Sequence, residues 1–223
     1  MNSTFHPPNI KTNQASFNKY KGKRIFILGS GSSANHFDLS ILKDEIVISI
    51  SQFGRHPQIK SIQPNYHLIA DPASFDPHNT LTFNTILESL KPFNDLSTEF
   101  FFPLPYAAST STSPHYKYFK KNYYKYNNKF DLNTPIDFSK PIPWWGQNVM
   151  DAAIALSIHL GASQTYLIGF DNGGVTISNS DARFYREQSE FLAVATERYS
   201  LEDFERCKAV QLTQLNQIHR YCK

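Results

Sequence analysis

The chain has 223 residues, 40% of them hydrophobic and 14% aromatic, enough for one sizeable domain around a continuous core. A formal net charge of +3 is too mild to form a polyanion footprint by itself, and with no groove-reading motif beside it no nucleic-acid partner is expected. The two cysteines, Cys207 and Cys222, form no CxxC pair and suggest neither a disulfide scaffold nor a thiolate metal site, which fits a reducing compartment. The polar N-terminus lacks the apolar stretch of a secretion signal, and no run reaches the roughly eighteen apolar residues of a membrane span, so the expected location is cytoplasmic.

Residues 1–22 hold prolines, asparagines and lysines without periodicity and read as a tail or an arm that packs late, with the domain proper over 23–223. The apolar run Arg24 to Leu28 ends in Gly29, and Glu45 to Ile50 is a second run. Phe37 to Lys43 leaves room for a short helix between them, which predicts a β-α-β unit. A third strand is predicted over Tyr66 to Ala70, stopped by Asp71-Pro72, then a helix over Thr82 to Leu90 and a fourth strand over Glu99 to Leu104.

His115 to Phe130, inside a lid-like insertion around 105–143, reads as an amphipathic helix. Tyr116, Phe119, Tyr123, Tyr126 and Phe130 follow one stripe, with Lys117, Lys121, Lys125 and Lys129 in a row beside it. The sharper alternative is a basic lid over an anionic ligand or a membrane-surface face. Val149, Ala152, Ala153, Leu156 and Leu160 then recur at helical spacing up to Gly161, followed by a strand from Thr165 to Phe170. The alternation predicts an α/β fold: a single Rossmann-like domain, mostly parallel sheet with helices on both faces.

The turn Gly29-Ser30-Gly31-Ser32-Ser33 is the leading candidate site. Gly29 and Gly31 let the chain turn sharply and bring backbone N–H groups to a phosphate, backed by the N-terminal end of the next helix, while Ser32 and Ser33 donate hydroxyls or cap that helix. The spacing Gly29, Gly31, Ala34 also satisfies G-x-G-x-x-G/A. No acidic residue ends the second strand, however, where Ser51 and Gln52 stand, and no Walker loop occurs, so a nucleotide held by small polar groups is the better reading.

Other strand ends add Asp71, and Gly169 with Asp171. Both carboxylates serve equally as helix caps or, beside phosphates, as Mg²⁺ ligands. Gln147 and Asn148 open the long helix beside Trp144 and Trp145, as N-cap or as base-recognition groups. Arg183, Tyr185 and Arg186 follow a glycine- and serine-rich loop and can neutralise a leaving phosphate or simply open a further helix.

Taken in order, "ILGSGSS", "SISQF", "ADPASF" and "DAAIALSIHLGASQTYLIGFD" resemble the bacterial family 42 sialyltransferases. They also resemble the broader Rossmann-like group related to archaeal 6-hydroxymethylpterin diphosphokinase, which includes flagellin-glycosylating motility accessory factors. The resemblance spans roughly residues 23–185. It implies a glycosyltransferase of surface polysaccharide biosynthesis taking a CMP-linked sugar, with Gly29, Gly31, Ser32, Ser51, Gln52, Asp71, Asn148, Gly169 and Asp171 around the nucleotide.

The resemblance further implies no required cofactor and no metal, a glycan acceptor, and Arg183 and Tyr185 on the departing phosphate, with Asp71 as a third catalytic candidate. The base is unassigned among Asp71, His56 and His78. The late loop has no histidine, and His219 comes much further on. The pterin-kinase side of the resemblance implies instead a Mg²⁺-dependent phosphotransferase, and a non-catalytic nucleotide-binding protein is the third reading. A homo-oligomer and contact with the inner face of the membrane stay open. By the same resemblance a further strand is expected beyond Lys223, as if the chain were a truncated or minimal version.

Overall fold

The computed structural model describes residues 6–171, except 79, 128–130, 132 and 144–148. Among the described residues six strands form one parallel sheet: β1 (Arg24–Leu28), β2 (Ile46–Ile50), β3 (Tyr66–Leu68), β4 (Glu99–Pro103), β5 (Lys120–Tyr124) and β6 (Gln164–Ile168). Their order is β5-β4-β3-β2-β1-β6. The helices are α1 (Ile59–Ile62), α2 (Thr80–Leu90), α3 (Ala107–Thr112) and α4 (Val149–His159). This is the α/β, Rossmann-like architecture that the sequence predicts.

Side chains alternate cleanly between the two faces, as a strand's period of two requires. Leu28, Val47, Phe100, Phe102 and Tyr123 pack on one face with Ile59 and Ile62 of α1 and Ile86 and Leu90 of α2. Ile25, Ile27, Ile48, Ile50, Tyr66, Leu68, Phe101 and Tyr124 pack on the other, under α4 and the segment carrying Ile136, Phe138 and Ile142. His67 shares the first face with Phe93 and Phe100. It is fully buried, its Nδ1 lies 2.7 Å from the Ser49 hydroxyl, and burial pushes its pKa down to about 3.

The long helix is α4, and it ends as its sequence predicts. Gly161, at φ +86°, donates to Ile158 O while Ala162 donates to Ser157 O, which is the paired closure that a left-handed glycine permits. The helix is buried almost all round, because residues before β1 cover its outer side. Asn18 N–H donates to His159 O and Tyr20 N–H to Leu160 O. The buried Asn13 donates through Nδ2 to Tyr123 O at 2.7 Å and Phe138 O at 3.0 Å. The N-terminal arm is therefore stitched into the second face from Asn13 onward, while Ile10 packs against the first.

Two expectations change. Lys120–Tyr124 is a strand and not part of a helix. Consecutive Tyr123 and Tyr124 both demand burial, a helix would turn one of them toward solvent, and an edge strand sends them into opposite cores. The lysine row dissolves with the helix: Lys121 donates to Tyr116 O and Lys117 lies over the exposed Tyr118 ring, while Lys120, outside the row, pairs with Glu99. No α-helix follows β1 either. The connection is two 3₁₀ turns, Ser32–His36 and Leu39–Leu42, too short for the helix end expected behind the glycine turn to contribute a macrodipole. No helix among the described residues is long and apolar enough to cross a membrane.

Candidate functional site

The sheet reverses its build direction between β1 and β6: β2 to β5 extend to one side of β1, and the chain returns to lay β6 on the other. In parallel sheets the crevice outside the carboxyl ends at such a reversal is where ligands bind. The turn after β1 and the residues after β6 meet there, so the sheet order brings Gly29, Ser30, Gly31, Ser32 and Ser33 together with Gly169 and Asp171.

The glycines have a use that the sequence did not disclose. Gly29 N–H donates to Ile168 O and Gly31 N–H to Gly169 O, both at 2.8 Å. A Cβ on Gly29 or Gly31 would lie 2.6 Å from Gly169 O, and one on Gly169, whose φ is +74°, would lie 2.2 Å from Gly29 O. The three glycines let two backbones touch, and the N–H groups assigned to a phosphate from the sequence are engaged between β1 and β6. Ser30 is buried at 4% exposure.

The outward donors of the turn are Ser32 and Ser33, and they hold a carboxylate. Asp171 accepts Ser33 N–H at 2.7 Å, the Ser32 hydroxyl at 3.3 Å and the Ser33 hydroxyl in a short contact. These groups are solvent-accessible. A carboxylate seated on one N–H and two hydroxyls marks the turn as complementary to an oxyanion.

Ser51 and Gln52 stand one strand along, at the end of β2. Ser51 has φ +51°, rare for a residue with a side chain, and Gln52 Oε1 is buried with no hydrogen-bond partner among the described residues. Asp71, at the end of β3, caps the 3₁₀ turn Pro72–Phe75 by accepting Ala73 N–H at 3.0 Å. Asp71 and Asp171 close strands three places apart in the sheet, roughly 14 Å, too far to share one Mg²⁺ with ligands at about 2.1 Å.

Of the base candidates, His56 is buried, stacked on Phe53 at 5.0 Å and lowered in pKa by burial; His78 is exposed. Gln147, Asn148, Arg183 and Tyr185 lie outside the described residues, as do Arg186, His219 and the two cysteines.

The polar row continues further along the carboxyl edge than the sequence suggested. Tyr106, after β4, stacks on Phe75 at 4.3 Å, and burial together with the Asp71 carboxylate raises its pKa. Tyr124 closes β5, Tyr126 follows it, and Asp151 stands in the first turn of α4 with 1% exposure. The hydroxyls of Tyr124 and Tyr126 are buried, and the two rings meet edge-on at 5.4 Å. Burial, with Asp151 adding to it, holds both phenols above the usual tyrosine range; Tyr124 raises Tyr126 further, whereas a hydrogen bond with Tyr126 draws Tyr124 down. The aromatic stripe absorbed Tyr126 as a helix residue, and Asp151 sat unremarked inside an apolar run.

No family model and no curated protein matches the sequence. Among solved structures, the MAf glycosyltransferase from Magnetospirillum magneticum AMB-1 is similar at 18% identity with a TM-score of 0.45, over 72% of this chain and 27% of that one. This chain therefore spans about a quarter of that protein's length.

Proposed function

We propose that the protein is a glycosyltransferase that takes its sugar from a nucleotide-activated donor and seats the donor's phosphate in the crevice between the β1 and β6 ends. The observation that carries this reading is the oxyanion seat made by Ser33 N–H and the Ser32 and Ser33 hydroxyls, now filled by Asp171, at the reversal point of a parallel sheet. A donor phosphate takes the place of that carboxylate. Ser51 and Gln52, one strand away, offer an uncharged polar surface to the nucleoside, where an acidic residue would be needed for a dinucleotide ribose. The sequence resemblance favours a cytidine nucleotide, and by the same resemblance Arg183 and Tyr185 stabilise the departing phosphate.

Thermal shift with CMP, CDP, UDP, GDP and ATP, each with Mg²⁺ and with EDTA, tests this. A ligand at a hundred times its Kd that binds only the folded chain adds about 2.7 kcal/mol. Stabilisation by CMP, CDP or UDP in EDTA is the expected result. Stabilisation by ATP only with Mg²⁺ replaces the reading with a phosphotransferase, and no shift with any nucleotide removes catalysis on a nucleotide donor.

A further inference from the structure

We propose that β6 is a dimerisation strand, which pairs antiparallel with β6 of a second copy of this chain about a two-fold axis through Tyr166. Among the described residues β6 is hydrogen-bonded on one side only, to β1. The peptide groups that face the other way follow from the ladder. Gly29 N–H donates to Ile168 O, so Ile168, Tyr166 and Gln164 turn their peptide groups toward β1, and Thr165 and Leu167 turn theirs outward.

The two outermost strands of the sheet are made differently. β5 opens on Lys120 and Lys121, and the N-terminal arm crosses it, with Asn13 donating to Tyr123 O. Lysines and a covering segment are what keep an outer strand from pairing with another chain. Gln164–Ile168 has no charged residue and no proline, and it leaves Tyr166 42% and Leu167 44% exposed. These two side chains stand on opposite faces, because Tyr166 is in register with Phe26 and Leu167 with Ile27.

The strand is complementary to itself, which selects a second copy as its partner. Antiparallel pairing centred on Tyr166 sets Thr165 opposite Leu167 of the second copy in the hydrogen-bonded positions, where each pair exchanges two bonds. Tyr166 then faces its own duplicate in the non-hydrogen-bonded position, where side chains come closest. A two-fold axis sets a residue against its own duplicate, so a charge there would repel itself, and this strand carries none. Phe26 already stacks on Tyr166 at 4.9 Å and 16°, and the pairing extends that stack into a row running from one Phe26 to the other across the first face. The carboxyl ends of the two sheets point in opposite directions, so each crevice opens away from the other. The proposal holds whether or not the crevice takes a nucleotide.

Sedimentation equilibrium of the full chain over a concentration series tests this, because a strand of 5 residues makes an interface of the small, reversible class. The wild type shows a monomer–dimer equilibrium. Leu167→Pro removes an N–H that faces away from β1, so it spares the ladder within the chain and deletes one bond from each of the two paired positions. It weakens association about thirtyfold, the equivalent of two hydrogen bonds, with the circular-dichroism spectrum unchanged. Tyr166→Lys sets like charges face to face and leaves a monomer. The register is read separately from Tyr166→Cys in a chain that also carries Cys207→Ser and Cys222→Ser. The Cα atoms of a non-hydrogen-bonded pair stand about 4.5 Å apart, within reach of a disulfide, so mild oxidation gives a covalent dimer, while Gln164→Cys in the same background gives none. A wild-type monomer at every concentration overturns the proposal, and slow exchange of the Thr165 and Leu167 amides in that monomer would show the strand covered by the rest of the chain instead. A dimer that neither substitution weakens, or one that Gln164→Cys cross-links as readily as Tyr166→Cys, overturns it as well.

Discussion

Replacing Gly169 by alanine asks whether the β1 and β6 ends really touch. The substitution forces an L residue to φ +74°, at about 1–2 kcal/mol. It also places a Cβ 2.2 Å from Gly29 O, a backbone atom that cannot swing away because Gly29 N–H is bound to Ile168 O. Forcing atoms into such a contact costs about 1–3 kcal/mol more, so the variant should lose about 2–5 kcal/mol. At about 2–4 °C per kcal/mol for a chain of this size, the melting temperature falls by roughly 4–20 °C. Gly22→Ala is the control: φ is +78° with nothing within 4 Å of the built Cβ, so only the backbone term applies, roughly 2–8 °C. Melting curves of the two variants side by side decide the matter. Equal losses would refute the close approach. The same geometry warns that a bulky residue at Gly31, which would meet Gly169 O and the Asp171 carboxylate, perturbs the junction as well as any phosphate.

Three other outcomes are expected. Asp171→Asn removes the charge that competes for the seat, and by the roughly 1 kcal/mol that two unit charges exchange at 4 Å in water nucleotide affinity should rise about fivefold by titration calorimetry; unchanged or weaker binding refutes the competition. His67 is held neutral by burial, at a pKa of about 3, against about 6.5 when unfolded, so the unfolded chain gains a proton that the folded chain refuses. Its contribution is whole above pH 6.5 and is lost as pH falls toward 3, by about 1.4 kcal/mol per pH unit, with His56 and His159, also lowered by burial, adding to the slope. Urea unfolding that is flat between about pH 6.5 and 5 would contradict this assignment. Asn13→Leu leaves Tyr123 O and Phe138 O without their donor and should cost about 2–4 kcal/mol; a loss below about 0.5 kcal/mol would mean that the arm is not part of the fold's stability.

The strands were legible because most of them are buried on both faces and so read as continuous apolar runs between turn signals. The exception shows the limit: Lys120–Tyr124 has one buried side chain for each core and none to spare, too few for a period of two to emerge above the three-to-four spacing of its aromatic neighbours. The glycine turn was legible as a place and not as a geometry. Sequence marks Gly29 and Gly31 as positions where something comes close, but whether that is a phosphate or the backbone of β6 depends on a pairing about 140 residues away. The Asp171 contact with Ser32 and Ser33 was hidden for the same reason. Tyr124, Tyr126 and Asp151 carried no signal as a group, since their place at the carboxyl edge becomes visible only once β5 and α4 are set in the sheet.

The two edges of the sheet differ in what their charges do, and this bears on where a ligand can act. At the amino edge, Arg24 at the start of β1 pairs with Glu45 just before β2, and Glu99 at the start of β4 pairs with Lys120 at the start of β5. Each pair joins adjacent parallel strands, neutralises itself and presents little for a ligand to bind. At the carboxyl edge Asp171 rests on hydroxyls and an N–H, and Asp71 caps a turn. Bonds of that kind exchange readily for those of an incoming oxyanion or alcohol, because the donors stay in place whichever acceptor arrives. Ion pairs hold strand neighbours together at one edge, and exchangeable hydrogen bonds stand ready at the other. A binding edge needs both in that arrangement, since the groups that fix the sheet must not be the ones a ligand displaces.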